Sequence, residues 1–414
     1  METKKAKTNF NKFLLLWGGE LISSIGGGLT SFGLGVYVFE QTGSAAGMAL
    51  VTLFAFLPGL ALSSFAGVLA DRLDRRLLMM LGDGLSALGI IYIFICMLRG
   101  ETALYQICIG VFISSVFSSL LEPAYRATVS DLLTKEEFSK ASGMVSLAGS
   151  ARYLVSPVIA GILLTVGDIK LLLVIDICTF FFTVMSTGIV RKGLGVKEKV
   201  NQGTFLENFR EGWQAIHTRK GVFTLIILSS VMTCFMGAMQ ILAEPLILDF
   251  CGSATLGIGE TVCACGMLVS SLVLGIKGIK KGFVKTLALS LFAAGLAMIC
   301  FGWKENIYLI CTAGFFFFAA LPFANNCLDY LIRTNIPDEL QGRAWGLIGF
   351  LSQIGYVAAY AAAGILADGI AEGLQIGVGR GAAWVIAVCG LLLAMTALPV
   401  YRVKAVRALE RSAA

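Results

Sequence analysis

Glu20, Asp83, Arg152, Asp176, Glu244, Glu260 and Asp329 each stand inside a long apolar run of this 414-residue chain. An ionisable side chain at the centre of a membrane helix costs about 2.5–3.5 kcal/mol or more, which makes each a candidate for moving protons or holding a polar solute. Glu20 comes about 10 Å into its run and Arg152 about 13 Å into another, counted from the same side at 1.5 Å per residue. Similar depth and opposite charge predict that the two pair. Either Glu20 accepts protons or a cationic substrate under the influence of Arg152, or the two form a permanent structural ion pair. Asp176 lies about 10 Å from the opposite face. Glu244 precedes Pro245, which removes a helical hydrogen bond and permits a bend. An acid beside such a bend can collect external protons, or it can be a wetted helix end, the reading preferred for Glu260. Asn325 and Asp329 follow Pro322 at a spacing that places them on one helix face, where they can line a polar cavity. Tyr356 and Tyr360, one turn apart, are cavity candidates, whereas Phe315–Phe318 reads as packing or lipid-facing surface.

A second group falls in a short polar turn, Gly67-Val68-Leu69-Ala70-Asp71-Arg72-Leu73-Asp74-Arg75-Arg76. Gly67 is read as a point of close helix approach. Asp71 with Arg72, Arg75 and Arg76 reads as a breakable charge latch, and Asp83 and Glu122, near the same helix ends, are assigned to it. The plainer alternative is a turn that merely collects arginine.

These residues need elements to hold them. The chain is 57% hydrophobic and only 14% charged, against about 25% charged in a typical soluble domain. Twelve apolar segments follow one another, at about 13–38, 45–70, 77–98, 102–124, 141–166, 169–190, 221–247, 254–276, 283–303, 306–332, 343–367 and 381–401. A backbone in lipid must satisfy its own hydrogen bonds, so each is a helix. The fold class is therefore all-α and integral to the membrane. Lys and Arg gather on alternate connections, from Lys4–Lys12 to Arg402–Arg411, and leave only Arg99, Lys170, Lys304 and Arg380 on the others. This places both termini in the cytoplasm of a multi-pass plasma-membrane protein. The basic start before Phe13 belongs to a retained first span, since the apolar run is too long for a signal peptide and lacks a cleavage site. Residues 1–190 form one six-helix bundle, 191–220 a cytoplasmic linker and 221–414 a second bundle. In the linker, Phe205, Phe209, Trp213 and Ile216 recur at helical spacing and predict an amphipathic helix on the inner membrane surface. The bundles repeat: Glu136-Glu137-Phe138 returns as Asp338-Glu339-Leu340, and the basic turn as Lys277–Lys281 without its acid.

The 11 cysteines are scattered through apolar runs without a C-x-x-C pair and serve as small apolar fillers. The single histidine, His217, lies in the linker, so a histidine proton relay in the spans or a multi-histidine metal site is excluded. No metal ligands, nucleophile–base pair or phosphate loop appears, so neither an enzyme nor a cofactor is expected. The net charge of +6 follows the membrane faces and makes no nucleic-acid patch. The implied partners are a small-molecule substrate, protons and the lipid bilayer, and the sequence is compatible with a monomer.

The basic turn resembles the loop 2–3 motif of the major facilitator superfamily, Gly-x-Leu-Ala-Asp-Arg-x-Gly-Arg-Arg/Lys. Gly67, Leu69, Ala70, Asp71, Arg72, Arg75 and Arg76 match it, and Asp74 replaces the family's second glycine. Ser156-Pro157-Val158-Ile159-Ala160-Gly161 is similar to the antiporter pattern Gly-Pro-x-x-Gly-Gly at Pro157 and Gly161. Ser156 and Ala160 there replace glycines with the next smallest residues, which still let helices pack closely. The basic residue usual in span four of drug–proton antiporters is absent from Ile109–Ser119. The first span, the turn, Glu122-Pro123-Ala124 and Leu133–Met144 together resemble the macrolide-efflux branch, whose members often carry Gln at the Glu20 position. The resemblance implies two pseudo-symmetric six-helix bundles and proton-coupled efflux of an amphipathic, macrolide-like molecule by alternating access. The alternatives are an importer or facilitator of a nutrient, or a siderophore or lipid transporter, on the same fold.

Overall fold

The computed structural model describes residues 9–100, 102–134, 137–191, 213, 216, 220–336 and 338–413. Among the described residues fifteen helices form: α1 Phe10–Thr42, α2 Ala45–Arg72, α3 Arg75–Leu98, α4 Leu104–Ser118, α5 Leu121–Leu132, α6 Phe138–Leu154, α7 Ser156–Val166, α8 Ile169–Arg191, α9 Lys220–Leu248, α10 Ser253–Lys277, α11 Phe283–Trp303, α12 Ile307–Arg333, α13 Asp338–Leu374, α14 Val378–Arg402 and α15 Lys404–Ala413. There are no strands among the described residues. Twelve stretches of the described residues are long and apolar enough to cross a membrane, α4–α5 and α6–α7 each making one of them. The protein is an all-α, multi-pass membrane protein.

Contacts divide the chain into two compact units. The first comprises Met1–Tyr37 and Val51–Asn201, the second Val38–Leu50 and Gln202–Ala414. Residues 38–50, which the sequence groups with the first bundle, pack with the second unit, so α2 starts in one unit and ends in the other. Of the linker helix predicted around Phe205–Ile216, only Trp213 and Ile216 are described. Ile216 is buried, and Trp213 meets Phe223 edge-on at 6.4 Å.

In the first unit, the glycines of α1 decide how closely helices approach. Gly19, Gly26 and Gly33 lie seven apart, on one stripe of the helix. A Cβ at Gly19 would run into Ser186, at Gly26 into Thr179 and Asp176, and at Gly33 into Ile169 and Leu172. Rising numbers on α1 meet falling numbers on α8, so the two run antiparallel with α1 backbone against α8 side chains. Hydrophobic exclusion gives no drive between helices in lipid, and close contact of this kind supplies the attraction. α7 packs on the same helix: Ser156, fully buried, donates to the Ile25 carbonyl at 3.0 Å and would block a Cβ at Gly28. Pro157 lacks an N–H, and the fifth span breaks at Val155, between α6 and α7. Phe13, Leu16, Leu78, Met79, Tyr125 and Val190 form the core at one end of this unit. There Trp17 Nε1 donates to the Met144 carbonyl at 2.6 Å.

The second unit uses the same device. The α11 and α14 backbones touch where Gly295 faces Gly390 and Ala394, and Gly302 faces Ala383. α15 was not foreseen from the sequence. Its Val406 and Leu409 are buried, and Asn335 Nδ2 donates to the Leu409 carbonyl at 3.2 Å. Glu410 accepts from the first amides of α11, Phe283 N at 2.7 Å and Val284 N at 3.3 Å. Those amides have no partner inside their own helix, and a carboxylate answers both their hydrogen bonds and the helix dipole. Glu410→Ala is expected to lower the stability of the purified protein by about 1–2 kcal/mol, the scale of a lost helix cap. Glu410→Gln, which keeps one acceptor, should lose less. Thermal unfolding in detergent at fixed pH reads both.

Candidate transport pathway

The turn between α2 and α3 is held by two acids, Asp74 within it and Asp131 on α5. Asp74 caps α3, its Oδ1 accepting from Arg76 N at 3.1 Å. Its Oδ2 takes a 2.8 Å hydrogen bond from Arg191 Nε, the last residue of α8. Burial alone would push the Asp74 carboxyl up. The Arg191 guanidinium and the Arg76 amide outweigh it and hold the group below its ordinary value. Arg75 reaches across to α5, donating to the Ala127 carbonyl at 3.3 Å and pairing with Asp131 at 2.9 Å. Arg72 is exposed and Arg76 buried, its Nε without a hydrogen-bond partner among the described residues. The side chain of Asp71 lies outside the described residues.

Three expectations for the latch are corrected. Gly67 makes no close approach, since a Cβ there would meet open space. Glu122 is exposed and pairs with Arg126, one turn along its own helix, at 2.8 Å. Asp83 is buried to 1% exposure, within electrostatic reach of Glu20 and Asp176. Two helical turns separate it from Arg76, so it belongs to the interior of the unit and not to the turn.

That interior is a polar seam between α1, α3 and α8. Along α8, Asp176, Thr179, Thr183, Ser186 and Thr187 are all buried. Thr179 Oγ1 donates to the Asp176 carbonyl at 2.7 Å, and Thr183 Oγ1 lies 3.4 Å from the Gly19 carbonyl of α1. Glu20 contributes from α1 and Asp83 from α3. Glu20 Oε2, Asp83 Oδ2 and Thr187 Oγ1 are buried and without hydrogen-bond partners among the described residues. The predicted Glu20–Arg152 pair is not formed. Arg152 is exposed and acts instead on Asp176, while Glu20 faces Ser24. Depth along a helix sets height in the membrane but not direction around the axis, and the two side chains differ in the latter. Ser156, Pro157 and Gly161 are packing residues at the edge of this seam, all buried.

In the second unit, Tyr356 and Tyr360 of α13 lie against α9, their rings 5.7 Å apart. Tyr360 Oη hydrogen-bonds Gln240 Oε1 at 3.0 Å, and Tyr356 Oη approaches Met236 Sδ at 3.0 Å. Gln240, exposed and one turn from Glu244, was missed because an uncharged amide in an apolar run stands out less than an acid. Glu244 on α9 and Glu260 on α10 are within electrostatic reach of each other, and neither has an ion pair among the described residues. Asn325 and Asp329 are both exposed on α12, Asp329 near Arg333. They share a face as expected but join none of the other candidates. Phe316 is exposed and Phe317 fully buried, so the phenylalanine run divides between surface and packing.

Twelve candidate spans among the described residues, a basic turn after the second and acids buried in the bundles describe a membrane transporter. Comparison with known proteins gives the class its family: residues 16–359 match the Major Facilitator Superfamily model, and the chain belongs to that family. It is a transporter and not an enzyme. Macrolide efflux protein A of Streptococcus pyogenes is 26% identical over 354 residues, 83% of this chain and 86% of that protein. The multidrug efflux pump Tap of Mycolicibacterium fortuitum is 24% identical over 377 residues, 87% and 90% of the two chains. Among solved structures, the nucleoside transporter NupG, in a mutant form, superposes with a TM-score of 0.77 at 13% identity, covering 94% of this chain and all of that one. A bacterial homologue of the iron transporter ferroportin, in an inward-facing state, gives 0.75 at 14% identity over 95% of this chain and 99% of that one. At such identities the structures share the fold.

Substitutions at Asp74 separate its two roles. Asp74→Asn keeps a capping oxygen and loses the charge, and is expected to cost about 0.2–1 kcal/mol, the range for an exposed ion pair. Asp74→Ala loses the cap too and should cost about 1 kcal/mol more. Because the folded state holds this carboxyl below its ordinary value, its contribution is present above about pH 4 and is lost as pH falls through the lowered value. Unfolding midpoints of wild type and Asp74→Asn should therefore converge in acid, and also at high salt.

Proposed function

We propose that this transporter is a proton-driven exporter of an amphipathic small molecule, working by alternating access in the plasma membrane with both termini in the cytoplasm. The observation that carries the reading is the buried seam of the first unit. There Glu20, Asp83 and Asp176 lie together, and two of their oxygens have no partner among the described residues. Acids kept inside membrane helices at such cost mark proton or ion pathways. A membrane potential of about 150 mV gives roughly 3.5 kcal/mol per proton. That sustains a solute gradient of about a few hundredfold.

Residues of the second unit support the substrate class. Tyr356 and Tyr360 offer ring surface, Gln240 an amide and Glu244 an acid, a set suited to a solute with an apolar body and a basic group. The relatives named for macrolide and multidrug efflux support the same direction and class. In the turn after α2, Asp71 and its arginines act as the inner latch, with Asp74–Arg191 and Arg75–Asp131 as the frame that holds the turn in place.

Efflux of a compound panel from cells, with and without a protonophore, tests the reading. Export should stop with the protonophore, and Glu20→Gln should reduce it about tenfold or more while leaving the folded yield unchanged. Asp71→Asn should cripple transport without loss of folded protein. Accumulation of a solute that ignores the pH gradient would overturn export and favour a facilitator on the same fold.

A further inference from the structure

The pentapeptide Gly67-Val68-Leu69-Ala70-Asp71 returns almost unchanged as Gly364-Ile365-Leu366-Ala367-Asp368 on α13. The two copies attend opposite ends of one helix. The first is the last full turn before Arg72 closes α2. The second lies against α2's first turn, within the second unit.

The contact there is close and polar. Asp368 accepts three hydrogen bonds: from Ser44 Oγ at 2.5 Å, from Ala45 N at 2.9 Å and from Ala46 N at 3.0 Å. Ser44 Oγ in turn accepts from Gly47 N at 3.1 Å. All of the first three amides of α2 are thus satisfied, two of them by a residue more than 300 positions away. α2 has no acid of its own in its first turn, and Asp368 supplies the negative charge that a helix start favours. Four residues before it, Gly364 lies on the α2 backbone. A Cβ there would meet the Ala45 carbonyl oxygen at 2.6 Å and the Ala46 Cα at 2.7 Å. Ala45, Met48 and Ala49 are buried. At the other copy the corresponding glycine, Gly67, faces open space.

We propose that Gly364–Asp368 is a second clasp, the counterpart of Gly67–Asp71, which grips the first turn of α2 in this conformation and must release it for the pathway to open at that end. The glycine sets the approach and the acid caps the helix. Both terms vanish together when α2 moves away, because the cap needs Asp368 within hydrogen-bond distance of the amides. Release strips Ala45 and Ala46 of their acceptor and leaves Asp368 to water, so the clasp has two states. α2 carries one copy of the motif and is gripped by the other, so a single helix registers both ends of the cycle. The inference rests on the chain being a transporter that alternates, not on its direction or on protons.

Hydrogen–deuterium exchange on the full-length protein in lipid nanodiscs, without substrate and at fixed pH, tests it. Asp368→Ala is expected to speed exchange of the 45–47 amides about tenfold or more, the scale of one lost charge-assisted hydrogen bond. Opening at one end closes the other when repeats rock about a fixed site. Exchange at residues 69–78 should therefore slow in the same variant. Asp368→Asn and Ser44→Ala, which keep part of the contact, should shift both ends in the same directions by less, and they carry the test if Asp368→Ala does not fold. Faster exchange confined to 44–47 with 69–78 unchanged would reduce Asp368 to a helix cap and overturn the clasp, as would no change at either end. Failure of export in cells would leave this result standing, since the measurement uses neither substrate nor gradient.

Discussion

The first amides of every helix lack a partner within the helix, and inside or beside a bilayer water is a poor substitute. Much of this structure answers that constraint with side chains brought from elsewhere. Asp74 and Asn306 cap their own helices, α3 and α12. Asp368 serves α2 from α13, and Glu410 serves α11 from α15. Caps of the second kind are also tertiary contacts, so the position at which a span begins and the neighbour it packs against are fixed by one interaction. Glycine stripes complete the scheme along the helix lengths, as at Gly19, Gly26 and Gly33 of α1.

The spans were legible because length and hydropathy are local properties. The predicted 13–38 and 169–190 became Phe10–Thr42 and Ile169–Arg191, the differences being polar turns that the helix continues into beyond its apolar part. The basic turn was legible as a motif, and the family follows from it. What holds the turn was not, because Asp131 and Arg191 are far away in sequence and neither stands out among the other charges near helix ends. Asp74 was read as a departure from a pattern, whereas a carboxylate before a helix start is itself a capping signal. The tail after Arg402 offered only Val406 and Leu409 as an apolar pattern, too short for periodicity to decide.

The candidate site was legible in part. Burial of Asp83, Asp176 and the Glu20 Oε2 atom follows from acids lying in apolar runs, but their grouping needed the angle of each helix about its axis. That angle placed Arg152 outward and Asp83 inward. The hydroxyls of α8 gave a weaker signal still, since Thr and Ser in a membrane helix more often satisfy their own backbone, as Thr183 does with Thr179 at 3.0 Å. The seam is a compromise between packing and chemistry. Glycines on α1 let a polar helix face come close enough to be enclosed, while unsatisfied oxygens within it keep the enclosure from being as stable as an apolar one.

Glu410 has a bearing on how the protein is made. Its partner amides on α11 leave the ribosome 126 and 127 residues earlier. At synthesis rates of about 5–20 residues per second, the interval is roughly 6–25 s. Until then the first amides of α11 lack this acceptor. Closure of that helix start therefore waits for a single acid that follows the twelfth span in the chain.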